Sequence, residues 1–185
     1  MDAFLQNCLN GISIGSIYAL IAIGYTMVYG ILRLINFAHG DIFMMAGYFM
    51  IICMTDLLIP WYISVFIVII ATIILGVLIE KIAYKPLRDA PRMSIMISAI
   101  GVSYLLQNLA TYIFSAQPKS YPYDKMGFLS NKVTLGNIST TLVTFITPVL
   151  TILLVVGLVL LIKKTKIGMA MRAVSRDFET SQLMG

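Results

Sequence analysis

Residues 33–41 read RLINFAHGD: an arginine, an asparagine, the chain's one histidine and an aspartate, set between two long apolar stretches. His39 and Asp41 are the one pair here suited to sharing a proton, and general acid–base work needs such a positioned partner. Asn36, His39, Gly40 and Asp41 admit two other roles. In a short cytoplasmic turn, Asn36 and Gly40 are turn formers and His39 is a hydrogen-bonded structural residue. In a helix broken at membrane depth, the same residues line a path, because freed backbone groups and half-helix ends make binding or gating surfaces. Spacing alone leaves both open. A second polar group is Gln107 with Asn108, preceded by Ser98 and Ser103. Unpaired amides in hydrocarbon cost several kcal/mol. These side chains must therefore face protein or a wet cavity, as interhelical hydrogen bonds or as the lining of a solute pathway.

Other chemistries lack their residues. Cys8 and Cys53 stand in apolar segments without metal-ligand spacing and read as packing residues. No Gly-x-x-x-x-Gly-Lys-Ser/Thr phosphate loop and no Gly-x-Ser-x-Gly elbow occurs. The sequence thus leads us to expect no catalytic residue, no metal, no cofactor and no ATP hydrolysis by the chain itself. An ion-coupled transporter would carry ionisable residues mid-span, and the spans hold almost none beyond Asp56, near one helix end.

What positions these groups is a membrane architecture. The chain is 59% hydrophobic and 11% charged, against roughly 25% charged in soluble domains, and its mean hydropathy is +0.94. A spanning helix needs about 20 mostly apolar residues. Five stretches qualify, at about 9–31, 42–59, 62–79, 94–115 and 140–162. None alternates as a barrel strand would, so the expected fold is all-α and polytopic, one transmembrane domain over 1–185. With the N-terminus outside, the inner side receives Arg33, then Lys81, Lys85, Arg88 and Arg92, then Lys163, Lys164, Lys166, Arg172 and Arg176. The outer side keeps only Lys119, Lys125 and Lys132 of the 13 basic residues, as the positive-inside rule requires. Pro60, Trp61 and Tyr62 then fall at the outer interface, and the segment around Tyr121–Asn137 is the one long outer loop. Gly11, Gly15, Ala19 and Ala22 share a face of the first span that would let another helix approach closely, with intramolecular packing favoured over a dimer contact. Gly76 and Gly101 would serve similarly.

After the fifth span, Ile167, Met171, Val174 and Phe178 recur at helical spacing while Arg172, Arg176 and Glu179 take another face. This predicts a cytoplasmic amphipathic helix over about 167–184. It suits a lipid surface or, with Asp177 and Glu179 among its arginines, a groove on a soluble partner.

Three blocks, in order, resemble the permease subunits of branched-chain amino acid ABC importers: GYTMVYGILRLINFAHGDIFMMAGY, then LIEKIAYKPLRDAPRMSIMISAIGVSYLLQNL, then TKIGMAMRAVSRDFETSQLMG. The likeness runs from Gly11 to Gly185 and covers what resembles the N-terminal three-fifths of such a permease. It implies translocation of leucine, isoleucine and valine across the bacterial cytoplasmic membrane. It also implies a heterodimer with a second permease subunit, two cytoplasmic ATPase subunits and an extracytoplasmic substrate-binding protein, with membrane lipid around them and no nucleic acid. Coupling to the ATPases falls by resemblance on Gly168, Arg172, Ala173, Glu179 and Gly185, and Asn36, His39, Gly40 and Asp41 match the family's NFAHGD motif; these four, with Gln107 and Asn108 from their polarity alone, are the expected substrate pathway or gate. The family often has proline where Phe178 stands and alanines where Thr180 and Ser181 stand. Importers of urea or short amides share this motif layout and are the alternative.

Overall fold

The computed structural model describes residues 2–32, 35–87, 90–122, 125–127, 132–135 and 138–176. Six α-helices carry nearly all of them: α1 (Asp2–Leu32), α2 (His39–Thr55), α3 (Trp61–Ile79), α4 (Arg92–Phe114), α5 (Leu142–Lys164) and α6 (Lys166–Arg176). Four of these segments are long and apolar enough to cross a membrane: Ala3–Gly30, Trp61–Leu87, Met93–Phe114 and Leu142–Lys164. Helix is the form such runs must take in lipid, since it pairs every mid-segment N–H and C=O within the segment itself.

The second span differs from its expected bounds of 42–59. Helix α2 starts earlier, at His39, and stops at Thr55, giving 17 residues and a length of about 25 Å. Leu57 to Ile59 continue the apolar run, but Leu58 adopts φ 53°, the left-handed geometry that closes helices. The amides of Leu57 and Ile59 turn back onto the carbonyls of Ile52 (3.1 Å) and Cys53 (2.9 Å). Pro60 then caps α3, a position where its missing N–H costs nothing. Lys125, expected in the outer loop, donates from Nζ to the Met54 carbonyl at 2.9 Å, which suits a cation at a helix C-terminus. A hairpin of β1 (Lys132–Leu135) and β2 (Ile138–Thr141), paired antiparallel from Lys132↔Thr141 to Leu135↔Ile138, fills the segment that the sequence suggested was loop and the first residues of the fifth span.

The chain divides into two compact units. Residues 1–33 with 129–185 form one, and residues 34–128 the other. In the first, α1 packs along α5, and α6 packs on both. The small-residue face of α1 is not what α5 uses: Gly11, Gly15, Ala19 and Ala22 are exposed, and a Cβ added at Gly11 or Gly15 would meet nothing within 4 Å. Within this unit the expected close approach is not made. Gly76 and Gly101 likewise face open space. In the second unit, α2 packs on α3 and α4 around a buried cluster of Ala38, Met45, Val102, Leu106, Ala110 and Phe114. The α4 members recur at spacings of four, one helical stripe turned to the core.

Candidate functional site

Within the second unit, the chain between residues 35 and 38 is not helical, and Asn36 organises it. Its side-chain Oδ1 accepts the Ala38 N–H at 3.1 Å, an Asx-turn, while its carbonyl accepts the His39 N–H at 3.2 Å. The same Oδ1 accepts the Tyr84 hydroxyl at 2.8 Å. Tyr84 is brought there by a π-helical turn, Glu80–Tyr84, that prolongs α3. Such turns are rare and occur frequently at functional sites. Beside it, Ser98 Oγ donates to the Ala83 carbonyl at 3.2 Å.

Asp41 sits in the first turn of α2, where the helix dipole favours a carboxylate. Gln107, 66 residues later, donates from Nε2 to Asp41 Oδ1 at 3.0 Å and to Ser103 Oγ at 3.2 Å. Tyr48 and Phe114, each seven residues further on, stack with centroids 4.5 Å apart and planes 10° from parallel. Two contacts in one register make α2 and α4 parallel neighbours.

The register gives the turn a depth. Gln107 lies 15 residues into α4 from Arg92, about 22 Å along the axis, with about 10 Å left to Phe114. Ser98 lies about 9 Å along. A hydrocarbon core is about 30 Å thick, so a crossing α4 carries Asp41, and the non-helical backbone just before it, inside that thickness. Ala38 in this turn is 0% exposed. Residues 35–38, described within this unit, are non-helical backbone leading into α2. Residues 33 and 34 lie outside the described residues.

The remaining pathway residues are placed unequally. His39 starts α2 and is half-buried, with a side-chain interaction of its own. Gly40 is exposed, and a Cβ there would touch nothing within 4 Å, so packing within the chain does not demand a glycine. Asn108 folds back on its own helix, donating to the Tyr104 carbonyl at 2.7 Å, and does not join Asp41. Sequence reasoning missed Tyr84, a tyrosine in a basic cytoplasmic-looking stretch, because only the π turn brings it to Asn36.

The second candidate site is the junction of α5 and α6 in the first unit. Thr165 alone separates the helices. Its N–H bonds the Leu161 carbonyl at 3.2 Å, closing α5. Its Oγ1 accepts the Gly168 N–H at 3.0 Å and its carbonyl the Met169 N–H at 3.0 Å, opening α6 in the manner of an N-cap threonine. Gly168 is buried against the backbone of α5, and a Cβ there would collide with the Ile162 and Leu161 carbonyl oxygens. Arg172 reaches back over the corner, its Nη2 3.5 Å from the Lys163 carbonyl and its Nε 3.4 Å from that of Gly168. These long contacts place a cation at the C-terminal end of α5, where the dipole favours it. Arg172 also lines a cavity of about 200 Å³ with Thr26, Met27, Gly30, Ile162 and Met171. Ala173 is exposed and borders, with Met169 and Arg176, the outer groove of α6. Met171 and Val174 are half-buried while Ile167 is 64% exposed, so the predicted apolar stripe is only partly covered. Glu179 and Gly185, also assigned to coupling, lie outside the described residues, as does Phe178.

Among the described residues no group of three or more His, Cys, Asp or Glu side chains could hold a metal ion. Both sites are made of hydrogen bonds and backbone shape.

Known proteins place the chain. A family model described as the permease component of branched-chain amino acid transport systems matches residues 7–185. The high-affinity branched-chain amino acid transport system permease protein BraD of Pseudomonas aeruginosa is 38% identical over 191 residues, covering 98% of this chain and 62% of its own length. The permease proteins LivH of Salmonella typhimurium and Escherichia coli K12 are 37% and 36% identical, with the same coverage. The chain thus spans about three-fifths of the length of these curated relatives, which are transport permeases and not enzymes. No solved structure matches it. The apolar helices and the family together make this an all-α, multi-pass membrane protein. With its RLINFAHGD segment and its α5–α6 corner both inside the matched residues, the chain belongs to the family of branched-chain amino acid transport permeases.

Proposed function

We propose that the chain is the membrane-spanning permease domain of an ATP-driven importer that carries leucine, isoleucine and valine across the bacterial cytoplasmic membrane, with its N-terminus outside. The observation that supports this reading is the polar group Asp41–Gln107–Ser103 beside the non-helical stretch 35–38, formed between two apolar helices. Polar groups inside a membrane are costly unless they serve a solute path or a helix contact. Family membership supplies the solute class, since the relatives are named for branched-chain amino acids.

Transport then runs by alternating access. Two cytoplasmic ATPase subunits bear on α6, a second permease subunit completes the path, and an extracytoplasmic binding protein delivers the amino acid. Asn36, His39, Gly40, Asp41, Gln107 and Asn108 belong to the path or its gate. Gly168, Arg172 and Ala173, with Glu179 and Gly185, belong to coupling. Uptake of radiolabelled leucine by cells relying on this permease tests the solute class, and uptake of urea or acetamide instead would replace it. Arg172→Glu sets a carboxylate against the carbonyl end of α5, where the dipole disfavours it by up to about 2 kcal/mol. Leucine uptake should fall at least tenfold while ATP hydrolysis continues. Normal uptake in that variant would sink the coupling role.

A further inference from the structure

Of the polar groups in the second unit, the Asp41 cluster differs in what it leaves unused. Both Nε2 hydrogens of Gln107 are taken, one by Asp41 Oδ1 at 3.0 Å and one by Ser103 Oγ at 3.2 Å. No other hydrogen bond or ion pair to Asp41 or Gln107 side-chain oxygens is formed among the described residues. What remains free among the described residues is mainly acceptor: Asp41 Oδ2, Gln107 Oε1 and a lone pair on Ser103 Oγ, with the Ser103 hydroxyl hydrogen the one donor. Gln107 is exposed and Asp41 half-buried, so the set opens outward from the unit. Behind it lies the apolar cluster of Ala38, Met45 and Leu106.

We propose that Asp41, Gln107 and Ser103 receive the primary ammonium group of the transported amino acid. This rests on the amino-acid reading above and deepens it. An ammonium brings three N–H donors and one positive charge, matching three free acceptors of which one is anionic. A ligand carboxylate would meet the like charge of Asp41 and, apart from the Ser103 hydroxyl, only acceptors, so it must lie away from Asp41. The attraction has weight away from bulk water, where a lower effective dielectric makes a charge pair several times stronger. The fixed amide of Gln107 holds the carboxylate so that little order is lost on binding.

The test uses the assembled importer containing this chain, in nanodiscs, with two probes. 3-Methylbutylamine keeps the ammonium and branched chain of leucine but lacks the carboxylate. 4-Methylpentanoate keeps the carboxylate and lacks the ammonium. The wild type should bind the amine at least tenfold more tightly than the acid. Asp41→Asn, which retains an oxygen for Gln107, should weaken the amine at least tenfold, and Asp41→Glu should restore part of the loss. Amine binding unchanged in Asp41→Asn would overturn the proposal, as would equal binding of amine and acid by the wild type. If Asp41→Asn sheds the second permease subunit yet binds the amine with wild-type affinity, the carboxylate serves a basic residue of that neighbour and the proposal falls. Wild-type importer that takes up urea and not leucine would overturn the amino-acid reading itself. Leucine uptake equal in wild type and Asp41→Asn removes the ammonium site alone.

Discussion

Gly168→Ala is expected to detach α6 from the end of α5. The added Cβ would stand within 3.0 Å of two backbone oxygens, a distance real Cβ atoms essentially never show. Overpacking ordinarily costs about 1–3 kcal/mol because side chains give way, but the Ile162 and Leu161 carbonyls are fixed in a helix and cannot rotate aside. The upper end of that range, about 3 kcal/mol, is the expected loss, or else α6 shifts and the Thr165 cap opens. Denaturant unfolding in micelles, with proteolysis of α6 as a second readout, measures both outcomes. Gly157→Ala in the middle of α5 is the matched control. Nothing lies within 4 Å of its Cβ, so it should be neutral or gain about 0.5–1 kcal/mol of helix stability. Equal behaviour of the two variants would show that the corner tolerates a methyl group.

Asn36→Leu should be the most damaging single change in the second unit. One oxygen serves both the Ala38 N–H and the Tyr84 hydroxyl, and leucine strands the pair of donors. Each unsatisfied buried donor costs about 1–3 kcal/mol, so unfolding free energy should drop by about 2–6 kcal/mol. Tyr84→Phe removes one donor along with its partner bond and should cost only about 1 kcal/mol. Asn36→Asp keeps the accepting oxygen and should fall between them. Were Asn36→Leu no worse than Tyr84→Phe, the turn would not depend on its asparagine.

Both predictions concern groups the sequence displayed, yet with partners it concealed. Long apolar runs announce α1, α3, α4 and α5 because a lipid-spanning segment has one way to pair its backbone. The stop of α2 is different: Leu57, Leu58 and Ile59 are as apolar as the helix before them, and only the left-handed Leu58 ends it. The π turn at Glu80–Tyr84 left no compositional mark either. Gln107 and Asp41 were each legible as polar residues where polarity is expensive, but their pairing spans 66 positions and follows from helix register. Gly168 stood out through resemblance, and its physical reason, contact with another helix's carbonyls, belongs to packing. On α1 the small residues find no close helix neighbour within their own unit, because such a face permits an approach without compelling one.

Thr165, finally, has a mechanical meaning. Two helices joined by one residue have just two rotatable bonds between them, here held at φ −101° and ψ 158°. Thr165 fastens to both sides through Leu161 and Gly168, so the joint behaves as a weld more than a hinge. Force applied to the outer groove of α6 arrives at α5 as torque about its last turn, with little lost to slack. The 11-residue α6 is in that sense the short arm of a crank whose long arm is the 23-residue α5.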